Sequence, residues 1–263
     1  YYRATGDVRA LELARTIVKW AADMNDKGGK VPGVVMGARG GEADWPNIYS
    51  TQNNAIYYSV LKMMMEAAPA DKDADFWREE ISGVQGVLRD VLSSKDGIPY
   101  RGASLGPDGT FQADGTAHID STTAYFLALG PDGITQLGHD PKAVLDTLRT
   151  RFSVTVQKDG KTYEGYDFTD TAGRLLTRRE AMLSIEGTAQ MAAVLNMMSR
   201  YYTGTPEGDR YAAEAKKLLV TLDAFRVSGT RSLPVASARE RTVSDRFWPP
   251  PPTIGSTSGT VWR

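Results

Sequence analysis

The sequence predicts an all-α fold of helical hairpins stacked side by side, with small β-hairpins in long loops on one face. Three observations predict it. A turn-rich loop ending in a polar residue and opening an apolar helix recurs as Gln52-Asn53-Asn54-Ala55, Asp120-Ser121-Thr122-Thr123, Glu186-Gly187-Thr188-Ala189 and Ser258-Gly259-Thr260-Val261. The intervals are 68, 66 and 72 residues, and self-similarity at a fixed period marks a repeated supersecondary unit. The helices also alternate in character, one kind apolar nearly all round and the other amphipathic. The connections alternate too, short from apolar to amphipathic helix and long on the way back.

Apolar spacing of three and four residues places helices at about 8–24, 53–68, 74–93, 121–130, 141–152, 186–202 and 207–226. The first carries Arg9, Glu12, Arg15 and Lys19 on one face and reads as an outer helix. The second, with Ala55-Ile56-Tyr57-Tyr58-Ser59-Val60-Leu61, has no polar face and reads as buried on all sides, with Met63–Met65 as core filler. Residues 74–93 return outside. Gly130-Pro131 is expected to close the helix at 121–130, and Asp140-Pro141 opens the next with a cap residue followed by proline at the first helical position. Met191-Ala192-Ala193-Val194-Leu195 marks a third buried helix, and Arg210, Glu214 and Lys217 mark its outer partner. A second repeat agrees: Tyr1-Tyr2-Arg3-Ala4-Thr5-Gly6-Asp7 and Tyr201-Tyr202-Thr203-Gly204 each lead into an outer helix, 200 residues apart.

The long connections contain 25–49, 95–118, 153–185 and 227–255, well above ordinary loop length. Phe152–Tyr166 reads as a β-hairpin around Asp159-Gly160, and Ile98-Pro99-Tyr100 with Thr110-Phe111 as another around Asp108-Gly109. Because every inner helix follows a long loop, all inner N-termini should share one face. Gln52, Asp120, Glu186 and Ser258 would ring its centre.

Composition narrows the chemistry. Lys and Arg total 31 against 32 Asp and Glu, which gives no electrostatic reason to expect nucleic acid or an acidic membrane as partner. No apolar run approaches the roughly 20 residues of a membrane span. With no cysteine, disulfides, thiolate catalysis and Cys-ligated metal are excluded, and with His118 and His139 the only histidines a His-rich metal site is not expected. No cofactor is implied. Gly37-Ala38-Arg39-Gly40-Gly41 lacks the lysine of a phosphate loop, no serine sits in a nucleophile elbow, and Pro249–Pro252 reads as a loop brace.

Two of the four ring positions are carboxylates. One acid to protonate a leaving oxygen and one to activate water are the minimum for glycoside hydrolysis. Asp120 has a competing reading as an N-cap, since Asp-Ser-Thr is a good cap sequence. Glu186 caps poorly and precedes glycine, which favours a side chain reaching into a lumen. The loop aromatics Trp45, Tyr49, Tyr100, Phe111, Tyr166 and Trp248 suit stacking on sugar rings, with loop packing as the alternative for each one. His118, two residues before Asp120, reads as a base, a sugar hydrogen-bond partner or a satisfied loop residue.

Ile48-Tyr49-Ser50-Thr51-Gln52-Asn53-Asn54 before an apolar helix, and Ile185-Glu186-Gly187-Thr188-Ala189-Gln190-Met191, resemble segments of bacterial six-hairpin glycosidase-like proteins. The resemblance implies an (α/α)n toroid, part of an (α/α)6 barrel, and an enzyme acting on a glycan. It identifies no narrower family. One departure is Gln52, where the resemblance leads one to expect an acid; Glu42 or Asp44 could substitute. Three complete hairpins are present where a full toroid has six, so residues 1–263 are expected to form one toroid domain lacking about two hairpins.

The expected reaction is hydrolysis of a polysaccharide or oligosaccharide, with Glu186 as general acid and Asp120 as general base. Gln52, Asn53, Trp45, Tyr49, Tyr100, His118 and Trp248 are expected to contact the sugar. The alternatives are a lyase or epimerase, with His118 or Tyr100 as base and Arg101 or Arg174 holding a uronate, and a non-catalytic glycan-binding or exopolysaccharide-assembly module. A glycan substrate favours a periplasmic or extracellular setting.

Overall fold

A computed structural model describes residues 1–23, 48–106 and 108–226. The readings made on Glu42, Asp44, Trp45, Trp248 and Ser258 lie outside the described residues.

A single turn, α1 (Tyr2–Thr5), ends at Gly6 with φ 70° and leads into α2 (Val8–Ala22), whose first turn is closed by the Arg9 N–H donating to the Asp7 side chain. A short strand β1 (Ile48–Ser50) runs directly into α3 (Thr51–Ala67), and α4 (Ala74–Asp90) returns beside it. Next come β2 (Gly102–Leu105) and β3 (Phe111–Ala113), then α5 (Ile119–Gln136) and α6 (Pro141–Phe152). The hairpin β4 (Ser153–Lys158) and β5 (Lys161–Tyr166) is followed by a short helix α7 (Thr171–Leu176). The last described hairpin is α8 (Ile185–Tyr201) with α9 (Pro206–Ala224).

Each inner helix packs on its outer partner, α3 on α4, α5 on α6 and α8 on α9, and α5 lies between α3 and α8. The core runs through this row. Trp77, Tyr125, Phe126, Phe152 and Tyr211 are fully buried in it with Leu61, Leu88 and Leu145. The outer helices α6 and α9 are joined by Lys142 to Glu207 at 3.1 Å and by a two-pronged Arg149–Glu214 pair at 2.9 and 2.6 Å. At the other end of the row Arg15 of α2 pairs with Asp71, and Lys19 with Asp73 at 3.0 Å.

One expectation is corrected and another is refined. The inner helices are not covered on every side by described residues: Ile56 and Met63 of α3 are 52% and 58% exposed, because α3 has one described inner neighbour, α5. Gly130-Pro131 closes the first helical run of α5, as read from the sequence. Gly130 leaves helical geometry with φ 66° and ψ 174°, a conformation open to glycine, and Pro131 starts a second helical run that reaches Gln136.

The long loops carry the β-structure. The Asp159-Gly160 hairpin forms as read, with both turn residues at positive φ, 50° and 70°, as a two-residue turn of this kind requires. The other hairpin is displaced along the chain: Ala103 pairs with Ala113 and Leu105 with Phe111, while Pro99 makes only an isolated bridge to Ser93. Its third strand is β1, with Ser50 opposite Gly102. A Cβ at Gly102 would stand 2.5 Å from the Tyr49 carbonyl oxygen, so the pairing that seats β1 depends on that glycine.

Candidate active site at the inner helix starts

The three described inner helices all begin at the loop end, and one register is repeated. Gln52, Asp120 and Glu186 are each the second residue of α3, α5 and α8, after cap positions Ser50, His118 and Ser184. In α3 and α8 the serine does the capping, accepting from the Asn53 N–H at 3.3 Å and the Gly187 N–H at 3.0 Å. The side chains one turn-step later are thereby released from that task.

The α5 start differs. His118 makes no cap bond, and Asp120 Oδ1 accepts from the Ser121 N–H at 2.7 Å. Asp120 therefore occupies a helical position and still answers one N-terminal amide. The His118 side chain is 15% exposed, its ring set edge-on against Phe168 at 4.5 Å between centroids, with Nδ1 3.9 Å from Asp120 Oδ1. Burial, reinforced by the positive charges of Arg101 and Arg179, holds the imidazole below its ordinary pKa of 6.5, and the opposing carboxylates Asp120 and Asp114 do not reverse it. A neutral imidazole can accept a proton or a hydroxyl hydrogen bond.

The starts of α5 and α8 touch. A Cβ on Gly187 would stand 2.6 Å from Ile119 Cγ2, so glycine lets the third residue of α8 lie against the first residue of α5. One turn further in, the buried Thr123 hydroxyl of α5 donates to Gln190 Oε1 at 2.7 Å, and Gln190 Nε2 donates to Glu186 Oε1 at 3.3 Å. Asp120 and Glu186 are thus borne on adjoining helix starts joined by packing and by a hydrogen-bonded chain. Glu186 itself is exposed and Asp120 partly buried.

The remaining sequence candidates distribute unevenly. Gln52 is half-buried and Asn53 exposed at the start of α3. Tyr100 is half-buried, and its carbonyl accepts from the Thr51 hydroxyl. Tyr49 departs from the expected role: it is 1% exposed, its ring packed at 76° against Phe111 with centroids 5.2 Å apart, because strand β1 turns it into the core. Tyr166 is likewise buried and donates to Glu214 at 3.2 Å. Arg101 pairs with Asp114, and Arg174 with Asp167 at 3.3 Å.

The sequence reading missed Asp167 and Gln190. Asp167 is completely buried. Its Oδ1 accepts from Arg179 Nη2 at 2.5 Å, and its Oδ2 from Arg179 Nη1 at 3.2 Å, Arg174 Nη1 at 3.3 Å and the Met182 N–H at 3.1 Å. Nothing local in Asp167-Phe168-Thr169-Asp170 announces an arginine partner twelve positions on. Gln190 carried a signal, its four-residue spacing from Glu186 on one helix face. Among the described residues no cluster of His, Asp or Glu has metal-ligand spacing. Nor is any described helix long and apolar enough to cross a membrane.

No protein-family model matches the chain, and no curated protein matches it in sequence. Solved structures do match in shape. An unsaturated glucuronyl hydrolase from Bacillus sp. GL1, described as responsible for glycosaminoglycan degradation, superposes with a TM-score of 0.61 at 14% identity, over 85% of this chain and 58% of that one. An unsaturated glucuronyl hydrolase specific for heparin gives 0.56 at 13% identity, over 84% and 57%. A family 76 glycoside hydrolase from a bovine Bacteroides thetaiotaomicron strain gives 0.57 at 8% identity, over 87% and 46%. The chain spans less than two thirds of the length of each of these structures. At such identities the likeness concerns the backbone: the helical hairpins of this chain follow the fold of the corresponding part of these structures.

Proposed function

We propose that the protein is a carbohydrate-active hydrolase that cleaves a glycosidic bond with Asp120 and Glu186. The observation that carries the reading is their placement: equivalent second positions on adjoining inner helices, at the loop end of the row. Glycoside hydrolysis by this route needs two carboxyl groups flanking one sugar linkage. The activities of the structures similar in shape, glucuronyl and family 76 glycoside hydrolysis, lie in the same coarse class. They support that class and no particular sugar.

Glu186 serves as general acid. It is exposed at the start of α8, where its carboxyl group can donate a proton to the leaving oxygen of a sugar bound at the loop end. Asp120 serves as general base. One of its oxygens is already engaged by the Ser121 amide, which aims the other at water. Inversion of configuration requires about 6.5–9.5 Å between the two carboxyl groups, and about 5–5.5 Å would give retention. Gln52, Asn53, Tyr100 and the neutral imidazole of His118 line the approach and donate to or accept from sugar hydroxyls. These hairpins are read as one domain forming part of a closed toroid.

A screen of soluble polysaccharides and oligosaccharides for new reducing ends tests the reading. Turnover by the parent protein that is lost in Glu186→Gln and in Asp120→Asn supports it. Unchanged turnover in either variant on a proven substrate removes that residue from the mechanism, and a product with absorbance from a new double bond would replace hydrolysis by elimination.

A further inference from the structure

We infer that Asp167 is a positioning residue: it clamps the segment 167–184 between the starts of α5 and α8 and so sets the separation of Asp120 and Glu186. The inference rests on the acid-pair reading above for its catalytic consequence, and on geometry alone for the clamp.

Three consecutive residues hold both helix starts. The Tyr166 carbonyl accepts from the N–H of Ser184, the cap residue of α8, at 2.8 Å. The Phe168 carbonyl accepts from the N–H of Ile119, the first residue of α5, at 3.0 Å. Asp167 lies between them, its own N–H anchored on the Phe152 carbonyl at the end of α6 at 2.7 Å. Two side-chain bonds extend the grip: the Thr169 hydroxyl donates to the Ala117 carbonyl at 2.9 Å, and the Tyr166 N–H donates to the Thr188 hydroxyl of α8 at 3.0 Å. The chain then leaves through α7 and comes back over Arg179 to Met182. The Asp167 carboxylate gathers that return, taking both prongs of Arg179 and the Met182 amide.

A carboxylate with no exposed surface must have every oxygen answered, and here each one is. Such a group fixes its neighbours in one arrangement, since any shift of the returning segment strands a buried charge. Acid–base catalysis is sensitive on that scale: a misplacement of about 1 Å can cost about 100-fold in rate. The site carboxylates make few bonds of their own, so their spacing is inherited from the helix starts.

The test compares the parent protein with Asp167→Asn by amide hydrogen exchange and by steady-state kinetics. Exchange at Ile119 and Ser184 should accelerate about tenfold or more, with amides in the middle of α9 unaffected, as expected of a local opening. On a glycan that the parent hydrolyses, kcat should fall about 30-fold or more with KM changed less than about threefold, the signature of misplaced chemistry with binding kept. If Asp167→Asn does not fold, Arg179→Gln carries the test, because it removes the two-pronged partner of Asp167 at a side chain that is itself 22% exposed; the same pattern is expected, smaller in size. Exchange at Ile119 and Ser184 unchanged within twofold would overturn the clamp. Accelerated exchange with unchanged kcat would overturn its catalytic role. Should the parent hydrolyse no glycan, the acid-pair reading falls, while the exchange measurement still decides whether Asp167 holds the two helix starts.

Discussion

The starts of α5 and α8 share one register and manage it in opposite ways. At α8 a serine caps the helix and leaves Glu186 exposed, with Gln190 at 3.3 Å as its side-chain hydrogen-bond partner among the described residues. At α5 a histidine occupies the cap position without capping, and Asp120 closes onto the neighbouring amide at 2.7 Å. One carboxylate is long, solvated and loosely held, and the other is short, partly covered and tethered. Equivalent positions in a repeat therefore fix where a side chain begins, and the cap residue before it decides how free that side chain is. The α3 start extends the lesson, for Ser50 caps as Ser184 does but the second position holds Gln52, which cannot exchange a proton at ordinary pH.

The sharpest way to break this contrast is kinetic. Glu186→Gln and Asp120→Asn should each lower kcat/KM by about 10²–10⁴-fold, the usual worth of one acid–base group. Their signatures should then diverge. An activated aryl glycoside, whose leaving group needs no proton, should restore much of the rate to the Glu186 variant and little to the Asp120 variant. Equal rescue would erase the distinction between acid and base. Gln52→Ala should raise KM about three- to tenfold with kcat nearly unchanged, the worth of one neutral hydrogen bond to substrate.

The next effects are on stability. Gly187→Ala places a methyl group 2.6 Å from Ile119 Cγ2 and should cost about 1–3 kcal/mol in urea unfolding, since the two helix starts must separate. Ser184→Ala should cost about 1 kcal/mol through the lost cap. Asp120→Asn keeps an oxygen for the Ser121 amide and should stay within about 0.5 kcal/mol of the parent. A larger loss there would mean that the α5 start depends on charge as well as on the hydrogen bond.

The smallest effect is in pH. His118 in the folded protein lies below 6.5, so the unfolded chain binds more protons between that folded value and 6.5. Its contribution is complete above pH 6.5 and is lost as pH falls through the folded value. His118→Gln should flatten the acid side of a melting-temperature profile over that window. A parent profile already flat there would show that the ring is not buried as described.

The hairpins could be read from sequence because their physics is local. An all-apolar helix beside an amphipathic one, Asp140 before Pro141, and Asp159-Gly160 at a turn each declare themselves within a few residues. The shared face for Gln52, Asp120 and Glu186 followed from the period. What sequence did not disclose depends on partners far along the chain. Tyr49 looks like any loop aromatic until β1 pairs with β2 and turns it inward. Asp167 looks like any loop acid until Arg179 returns to it, and the six-residue α7 is too short for periodicity to reveal. The α5 start lay one or two residues off, because His118 gives no cap signal and Asp120 gives a misleading one.

The ion pairs sort by depth, and ionic strength should therefore act on the two ends of each hairpin unequally. Lys142–Glu207 between the outer helices α6 and α9, and Lys217–Glu164 between α9 and β5, have both partners open to solvent, where charges are screened over about 8 Å in physiological salt. Asp167 has no exposed surface, and its arginines are only partly open to solvent, so this cluster is screened much less. Rising salt would relax the stitching between neighbouring outer helices while leaving the gap between the inner starts as it was. The outer helices can thus adjust to their ionic surroundings without transmitting that adjustment to the inner helix starts.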